Sequence, residues 1–236
     1  MLELNKVYNI DVLEGLRQLD DNSIDIIITS PPYNKGGLNG ICKGVRWNKT
    51  IDYGGDFEID NKPEDKYQEW QLEILKECWR VLKKDGLMFY NHKNRIVKGE
   101  GRIITPYSWI LKSPFLIRQE IIWNRKSGPN QDPSRYVPCY ENIYVLTKSK
   151  NTIFKRGKDI DYKTDVWTIN PDRKNVHPAP FPIDIPRNIL GCIYTDRDIT
   201  VLDPFMGSGT TAKAAIERNY NYIGFELIEE YVELLK

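Results

Sequence analysis

A serine, two prolines and a tyrosine follow an apolar segment near the start of the chain. Ile24–Thr29 reads IDIIIT and predicts a buried strand, which Pro31 and Pro32 end because proline offers no N–H to a strand ladder. The loop then displays the Ser30 hydroxyl, the Pro31 carbonyl and the Tyr33 ring at a strand's carboxyl end, where open α/β sheets bind ligands. A hydroxyl and a carbonyl can accept the two hydrogens of an amino group, and a ring can stack on a planar base. The alternative is a merely rigid loop.

A glycine-containing loop follows a second predicted strand. Thr200–Leu202 predicts the strand, residues 203–209 read DPFMGSG, and a helix is expected over Gly209–Arg218. The glycines allow a ligand to lie against the backbone, and the helix N-terminus offers unpaired N–H groups. A phosphate-binding loop would need a lysine after the last glycine, and a dinucleotide fingerprint would need a third glycine; both are missing. S-adenosylmethionine, which is cationic and carries no phosphate, fits this loop better.

An acidic residue follows a third predicted strand, Tyr222–Phe225. Glu226 stands roughly 20 residues beyond the glycine loop, where an acid binds ribose hydroxyls in doubly wound folds. We therefore predict that Glu226 is a ribose ligand, and a surface charge is the alternative.

Strands and helices alternate along the chain. Besides the three strands above, the apolar pattern predicts strands at Val7–Val12, Leu87–Asn91, Leu116–Trp123 and Ile143–Thr147, and a helix at Lys66–Leu82. This alternation predicts an α/β protein with a doubly wound, mostly parallel sheet. A length of 236 residues suits one such domain over the whole chain, 1–236. Two long stretches, Lys35–Asp65 and Asn151–Pro182, resist assignment and are expected to be functional loops.

Two segments are basic and contain no acid, although the net charge of the chain is only +1. The first holds Lys35, Lys43, Arg46 and Lys49, and the second holds Lys148, Lys150, Lys155, Arg156 and Lys158. Such segments suit phosphate contacts, and solvated basic loops are the alternative. We predict phosphate contacts for the first four residues and for Lys155, Arg156 and Lys158.

Other features argue against several classes of protein. No apolar run approaches the ~18 residues of a membrane span, and the N-terminus lacks the pattern of a signal peptide. We therefore expect a cytoplasmic protein with no membrane partner. The four cysteines form no CxxC pair, which argues against a zinc ribbon and a disulfide scaffold. No metal is expected.

The two loops together resemble the motifs of the S-adenosylmethionine-dependent DNA amino-methyltransferases, which make N4-methylcytosine or N6-methyladenine. TSPPYN at Thr29–Asn34 resembles the family's catalytic [DNS]PP[YFW] motif, and DPFMGSGTT at 203–211 resembles its FxGxG cofactor motif. The catalytic motif comes first, which resembles the permuted, β-class order. Adjacent parallel strands can still bring both loops to one edge of the sheet.

The resemblance implies a role for each matching residue. The catalytic residues are Ser30, Pro31, Pro32 and Tyr33, and the cofactor-binding residues are Asp11, Phe181, Asp203, Pro204, Phe205, Gly207, Ser208, Gly209, Thr210, Thr211 and Glu226. Asp11 matches an acid at the adenine end of the cofactor, with a helix N-cap as the alternative. Phe181 matches the methionine end, whereas nearby His177 receives no catalytic role. Arg135–Asn142 resembles a region near the flipped base, although core packing is the commoner explanation for Tyr136 and Tyr140.

The implied reaction transfers the methyl group of S-adenosylmethionine to the exocyclic amine of a base flipped out of double-stranded DNA. Ser30 Oγ and the Pro31 carbonyl accept the amine hydrogens, and Tyr33 stacks on the base. The resemblance implies that the basic residues named above contact DNA, that 35–65 is a mobile DNA-contacting loop, and that 148–182 is a target-recognition insertion. Serine at the first motif position favours cytosine N4, whereas Asn34 after Tyr33 favours the alternative, adenine N6. Methylation of RNA or of a protein amide is more remote, and so is a pure DNA-binding module. A cognate restriction endonuclease is an expected partner, and the chain is expected to be a monomer or homodimer.

Overall fold

Apolar stretches of the sequence form strands, and amphipathic stretches between them form helices. The computed structural model describes residues 2–34, 62–96, 102–126, 128, 134–156, 160–172, 181–233 and 235. The strands there are β1 Lys6–Asn9, β2 Ile24–Thr29, β3 Leu82–His92, β4 Arg95–Ile96, β5 Ile103–Ile104, β6 Leu116–Asn124, β7 Tyr140–Thr147, β8 Val166–Thr168, β9 Thr200–Asp203 and β10 Asn221–Glu226. The helices are α1 Val12–Arg17, α2 Glu64–Val81, α3 Tyr107–Ile110, α4 Asp184–Leu190, α5 Thr210–Glu217 and α6 Glu229–Glu233. None of these helices is both long enough and apolar enough to cross a membrane.

Eight of these strands form one sheet in the order β1-β10-β9-β2-β3-β7-β6-β8, and β4 pairs with β5 separately. The first five strands of the sheet are mutually parallel. β7 is antiparallel to both β3 and β6, and β8 is parallel to β6. The predicted α/β class and mostly parallel sheet are confirmed.

Both faces of the central strand β2 are covered. All six of its residues are buried, as expected for a parallel strand inside a doubly wound sheet. Ile27 belongs to one apolar cluster with residues of α1, α2 and α3. Ile26 and Ile28 belong to a second cluster, on the opposite face, with residues of α4 and α5. This packing holds the end of β2, and the loop that follows it, in a fixed place.

Parallel pairing places the two motif loops side by side. β2 and β9 are neighbours, with Ile26 opposite Val201 and Ile27 opposite Leu202. The ends of β1, β10, β9, β2 and β3 therefore lie together, and we call this side of the sheet the carboxyl edge. β7 runs in the opposite direction and so begins at this edge, as shown by the pairing of His92 with Asn142.

The first strand and first helix differ from the sequence prediction. β1 stops at Asn9, earlier than predicted, and α1 follows it directly. The cause is Asp11, whose carboxylate accepts hydrogen bonds from the N–H groups of Leu13 and Glu14 and caps α1. An apolar run of this length does not reveal such a cap by its periodicity.

The two unassigned stretches also contain regular structure. α2 begins at Glu64, so the last two residues of the predicted loop 35–65 are helical. β8 lies within 151–182, and its three residues are too few to show an alternating pattern. Residues 35–61 lie outside the described residues.

Candidate active site

The Ser30–Tyr33 loop is held from below by buried aromatic side chains. The Tyr67 hydroxyl donates to the Pro32 carbonyl oxygen at 2.7 Å, and its oxygen also lies 2.7 Å from His92 Nε2. The His92 ring packs against the Tyr33 ring, with 4.5 Å between their centroids. Tyr67 and His92 are fully buried. The loop is therefore supported by α2 and by the end of β3, in addition to its own prolines.

Four side chains form a buried hydrogen-bonded group at the carboxyl edge, which we call the polar cluster: Ser30, Tyr33, Asn91 and Glu141. The Tyr33 hydroxyl donates to Glu141 Oε2 at 2.9 Å and lies 2.8 Å from Ser30 Oγ. Asn91 Nδ2 lies 2.7 Å from the Tyr33 hydroxyl, 3.1 Å from Glu141 Oε2 and 3.3 Å from Ser30 Oγ. Arg125 pairs with the other Glu141 oxygen, Oε1, at 2.5 Å.

Burial and charge keep the Tyr33 hydroxyl protonated. The pKa of Tyr33 is raised well above its usual range, first because the group is buried and second because the Glu141 carboxylate is adjacent. Tyr33 can thus donate one hydrogen bond and accept others, but it does not act as a phenolate. The predicted stacking of a base on its ring stays a prediction.

Asn34 joins the end of the Ser30–Tyr33 loop to the segment just before α2. Its Nδ2 donates to the Lys62 carbonyl at 2.9 Å, and its Oδ1 accepts from the Lys62 N–H at 2.7 Å. The Asn34 backbone has a φ of 55°, a left-handed conformation that asparagine tolerates better than most residues. Asn34 thus has a structural function, to which both polar atoms of its side chain are committed.

The glycine-containing loop after β9 is fastened by its first residue. Asp203 Oδ1 accepts from the Phe205 N–H at 3.0 Å, and Oδ2 accepts from the Thr211 hydroxyl at 2.6 Å. Asp203 is 1% exposed, and this burial raises its pKa to about 6. Asp203 therefore acts on the shape of the loop and links it to the start of α5.

Glu226, at the end of β10, joins the same loop from the neighbouring strand. Its Oε2 accepts from the Gly207 N–H at 2.8 Å, and its Oε1 accepts from the Ile228 N–H at 2.9 Å. Burial raises the pKa of Glu226. Gly209, with a φ of 79°, precedes the first turn of α5, and an added Cβ there would approach Leu235 to 2.3 Å. The predicted loop, strand and acid are thus in direct contact.

The structure brings most of the predicted site residues to the carboxyl edge. Ser30, Pro31, Pro32 and Tyr33 follow β2, and Asp203, Pro204, Phe205, Gly207, Ser208, Gly209, Thr210 and Thr211 follow the adjacent β9. Asp11 follows β1 and caps α1, as its alternative interpretation proposed. Phe181 is buried in the apolar cluster that includes Ile28 and Ile185. Lys35, Lys43, Arg46, Lys49, Lys158 and His177 lie outside the described residues.

The second basic stretch is near the opposite end of the sheet. The Ile153 N–H donates to the Asp85 carbonyl near the start of β3, about 20 Å along that strand from His92. Lys155 and Arg156 follow and are exposed. Any phosphate contact they make is therefore distant from Ser30.

Lys148, in the same stretch, has structural partners. Its Nζ donates to Asn22 Oδ1 at 2.9 Å and lies 4.4 Å from the centre of the Trp79 ring. This ammonium group joins the end of β7 to α2 and to the turn before β2.

Two aromatic residues near the start of β7 are exposed rather than buried. Tyr136 is 100% exposed and Tyr140 is 44% exposed, so their interpretation as core residues is wrong. Tyr136 precedes β7, and Tyr140 is its first residue, next to Glu141 of the polar cluster.

Three side chains of the site were not singled out from the sequence. Asn91 and His92 lie at the end of β3, and Glu141 lies at the start of β7. A polar residue at the end of a predicted apolar strand is a usable signal for Asn91. Glu141 could not be found in this way, because its approach to Tyr33 depends on the antiparallel pairing of β7 with β3.

Comparison with known proteins identifies the family. A family model described as DNA methylase matches residues 24–236 of the chain. The chain belongs to the DNA methylase family, N6/N4 type. Two relatives are the type II methyltransferase M.BglII of Bacillus subtilis, 30% identical over 98% of this chain and 68% of the relative, and the DNA adenine methyltransferase YhdJ of Escherichia coli strain K12, 27% identical over 98% and 81%.

Solved structures of DNA methylases share the fold. The PvuII DNA methyltransferase, described as cytosine-N4-specific, superposes with a TM-score of 0.75 at 22% identity, covering 97% of this chain and 84% of that one. The complex of M1.HpyAVI with S-adenosylmethionine has a TM-score of 0.62 at 22% identity, covering 98% and 97%. These likenesses show that a DNA methylase fold carries the two loops described above.

Proposed function

We propose that this DNA methylase transfers the methyl group of S-adenosylmethionine to the exocyclic amine of a flipped base, with cytosine N4 as the favoured target. The observation that carries the proposal is the adjacency of the Ser30–Tyr33 loop and the Asp203–Thr211 loop on neighbouring parallel strands. An amine is a poor nucleophile when its lone pair is delocalised into a base. Alignment against the methyl donor is therefore the main task of the site.

The groups around the glycine loop fit a cationic ligand that carries ribose but no phosphate. Glu226 is only partly buried, and each of its oxygens already accepts one backbone hydrogen bond and can accept another. Phe205 is partly buried and packs edge-on against Trp70 at 5.8 Å, which places aromatic surface at the loop. When bound, S-adenosylmethionine supplies an electrophilic methyl group. Asp203 and Glu226 hold the loop that would bind it.

Ser30 and Pro31 are the proposed acceptors of the amine hydrogens. Ser30 is partly exposed at the carboxyl edge. Pro31 lies beyond the last residue of β2, so its carbonyl oxygen is not part of the strand ladder. Positive charge develops on the amine as it attacks, and two oxygen acceptors stabilise that charge more than they stabilise the ground state.

Two features bear on the choice of base. Serine at the first motif position favours cytosine N4 by the family resemblance. Asn34, which had favoured adenine N6, is explained by its contacts with Lys62 and therefore says little about the base. Similar proteins include both a cytosine-N4-specific enzyme and an adenine enzyme by name.

The proposal is tested by incubating the purified chain with unmodified duplex DNA and labelled S-adenosylmethionine, digesting the DNA and analysing its nucleosides by mass spectrometry. N4-methylcytosine is the expected product. N6-methyladenine would overturn the choice of base but keep the reaction, and label found only in RNA or protein controls would overturn DNA as the substrate.

The Glu226→Ala variant is expected to raise the dissociation constant for S-adenosylmethionine about tenfold or more, the ~1.5–3 kcal/mol of a charged hydrogen bond. The variant removes both the proposed ribose acceptor and the acceptor of the Gly207 N–H. Calorimetric titration measures the constant. Glu229→Ala, at the first turn of α6, is a control that removes a nearby acid. Equal affinity of the Glu226 variant and wild type would place the ribose site elsewhere.

The proposed DNA contacts of Lys155, Arg156 and Lys158 are expected to act on affinity alone, because Lys155 and Arg156 are far from Ser30. Replacing all three with glutamine is expected to reduce the slope of log affinity against log salt by up to about 3, one counterion per phosphate contact. Turnover at saturating DNA is expected to be unchanged. Fluorescence anisotropy with duplex DNA across a salt series measures the slope.

A matched control replaces Lys76, Lys112 and Lys213, which are exposed on or beside other helices. An equal fall in slope for both triple variants would indicate a general charge effect. An unchanged slope for Lys155, Arg156 and Lys158 would make their segment a solvated basic loop.

The proposal also assigns functions to two segments. Residues 148–182 are the proposed target-recognition insertion, and the part of 35–65 that precedes α2 is the proposed DNA-contacting loop. The chain is proposed to act on double-stranded DNA in the cytoplasm as a monomer or homodimer. A restriction endonuclease of the same specificity is the proposed partner.

A further inference from the structure

Glu141 is the one carboxylate in the polar cluster, and its position within that cluster assigns it a role. It is 6% exposed, and it follows Tyr140 at the start of β7, directly opposite Trp123 of β6. Each of its two oxygens has a different partner, since Oε1 meets Arg125 and Oε2 meets the Tyr33 hydroxyl. Burying a carboxylate costs free energy unless such partners are present. Its presence in the polar cluster therefore indicates that the charge has a function.

The hydrogen bonds of the cluster have a direction, which follows from counting protons. An ionised carboxylate can only accept, so the single Tyr33 proton points at Glu141 Oε2. The Tyr33 oxygen must then accept from its neighbours, and Ser30 Oγ at 2.8 Å donates its proton to Tyr33. Ser30 Oγ also accepts from Asn91 Nδ2 at 3.3 Å, which leaves one lone pair for a further hydrogen. A serine oriented in this way can accept a hydrogen from an amine but cannot donate one to it.

We propose that Glu141 is a positioning residue that fixes Ser30 as an acceptor through Tyr33 and is the final acceptor of the proton that the amine loses. The inference rests on the proposed amine methylation. Glu141 acts through Tyr33 and does not contact the base itself.

The proton transfer balances along this path. When the amine nitrogen bonds to the methyl carbon, the carbon–sulfur bond breaks, sulfur keeps that electron pair, and the nitrogen becomes positively charged. The nitrogen recovers its own electron pair by giving a proton to Ser30 Oγ. Ser30 passes its original proton to Tyr33, and Tyr33 passes its own to Glu141 Oε2. Glu141 ends as a neutral acid, the methylated amine ends neutral, and both hydroxyl groups are restored.

Protonation of Glu141 before the reaction would reverse the whole chain. A neutral Glu141 donates to Tyr33, Tyr33 donates to Ser30, and the Ser30 proton then points at the amine. The titratable and charged groups that face Glu141 are Arg125 after β6 and Tyr33 after β2, with His92 behind the Tyr33 ring. Arg125 and Tyr33 each direct a hydrogen at one of the two Glu141 oxygens.

The test compares the single-turnover rates of wild type and Glu141→Gln at saturating S-adenosylmethionine and DNA. In Glu141→Gln the amide nitrogen donates to Tyr33, so the rate is expected to fall about 100-fold or more. Dissociation constants for the cofactor and DNA are expected to stay within about twofold. A Glu141→Gln rate close to that of wild type would overturn the inference.

Three further variants separate positioning from structural support. Glu141→Asp retains a carboxylate and is expected to recover part of the rate that Glu141→Gln loses. Arg125→Met removes the ion pair but leaves the carboxylate, so it is expected to slow the reaction less than Glu141→Gln does. Tyr33→Phe breaks the chain, and adding Glu141→Gln to it is expected to slow the reaction no further.

Two outcomes count against a role through Tyr33. If Arg125→Met and Glu141→Gln lost activity equally and Glu141→Asp recovered none of it, Glu141 would merely hold β6 and β7. If the losses of Tyr33→Phe and Glu141→Gln simply multiplied, the two residues would act independently. A wild-type protein that forms no methylated base would instead refute the proposed function.

Discussion

The Tyr33→Ala variant is expected to lower kcat by about 1,000-fold or more, because it removes both a stacking surface worth ~1–3 kcal/mol and the hydroxyl that joins Ser30 to Glu141. Its affinity for S-adenosylmethionine is expected to stay within about twofold of wild type. The reason is spatial: Tyr33 follows β2, whereas the cofactor loop and Glu226 belong to β9 and β10. Single-turnover kinetics and calorimetric titration of the cofactor measure the two quantities.

The Tyr33→Phe variant divides this effect between the ring and the hydroxyl. Phenylalanine keeps a ring that can pack against His92 and stack on a base, but it cannot donate to Glu141. The activity difference between the alanine and phenylalanine variants therefore measures the ring alone. Loss of cofactor binding in step with loss of activity would refute the assignment of Tyr33 to the base. Thermal unfolding of each variant checks that the loop is still folded.

The sequence predicts where the strands of this protein lie better than it predicts which strands pair with each other. Ile24–Thr29 is found at its predicted bounds because five of its six residues are apolar or β-branched and two prolines follow closely, a signal that is wholly local. The adjacency of β2 and β9 follows from the family resemblance and the parallel sheet. Short elements such as β8 and α3 depend on packing against distant residues, and they carry no periodic signal of their own.

The candidate site divides in the same way. The Ser30–Tyr33 loop and the glycine loop are recognised from residue types in sequence, because each is built from one continuous segment. Asn91 and Glu141 meet Tyr33 only after three strands have been paired in register. Asp203 was predicted as a cofactor residue, yet in the structure both its oxygens serve the loop. A motif thus marks where a residue lies more reliably than which atoms it contacts.

Asp203→Asn is expected to be more stable than wild type at neutral pH, by up to about 3 kcal/mol. The pKa of Asp203 is raised from 3.8 to about 6 in the folded protein because the carboxyl group is buried. Between these values the folded state holds a proton that the unfolded state has released. The contribution of Asp203 to stability is therefore full below about pH 4 and falls as the pH rises through about 6.

Asparagine can keep both contacts, since Oδ1 accepts from the Phe205 N–H and Nδ2 can donate to the Thr211 oxygen. The stability difference between the two proteins is expected to be small near pH 4 and to grow until about pH 7, because titration of all other groups cancels in the comparison. Denaturant unfolding at several pH values measures it. A difference that does not vary with pH would show that Asp203 titrates in the folded protein as it does in the unfolded chain.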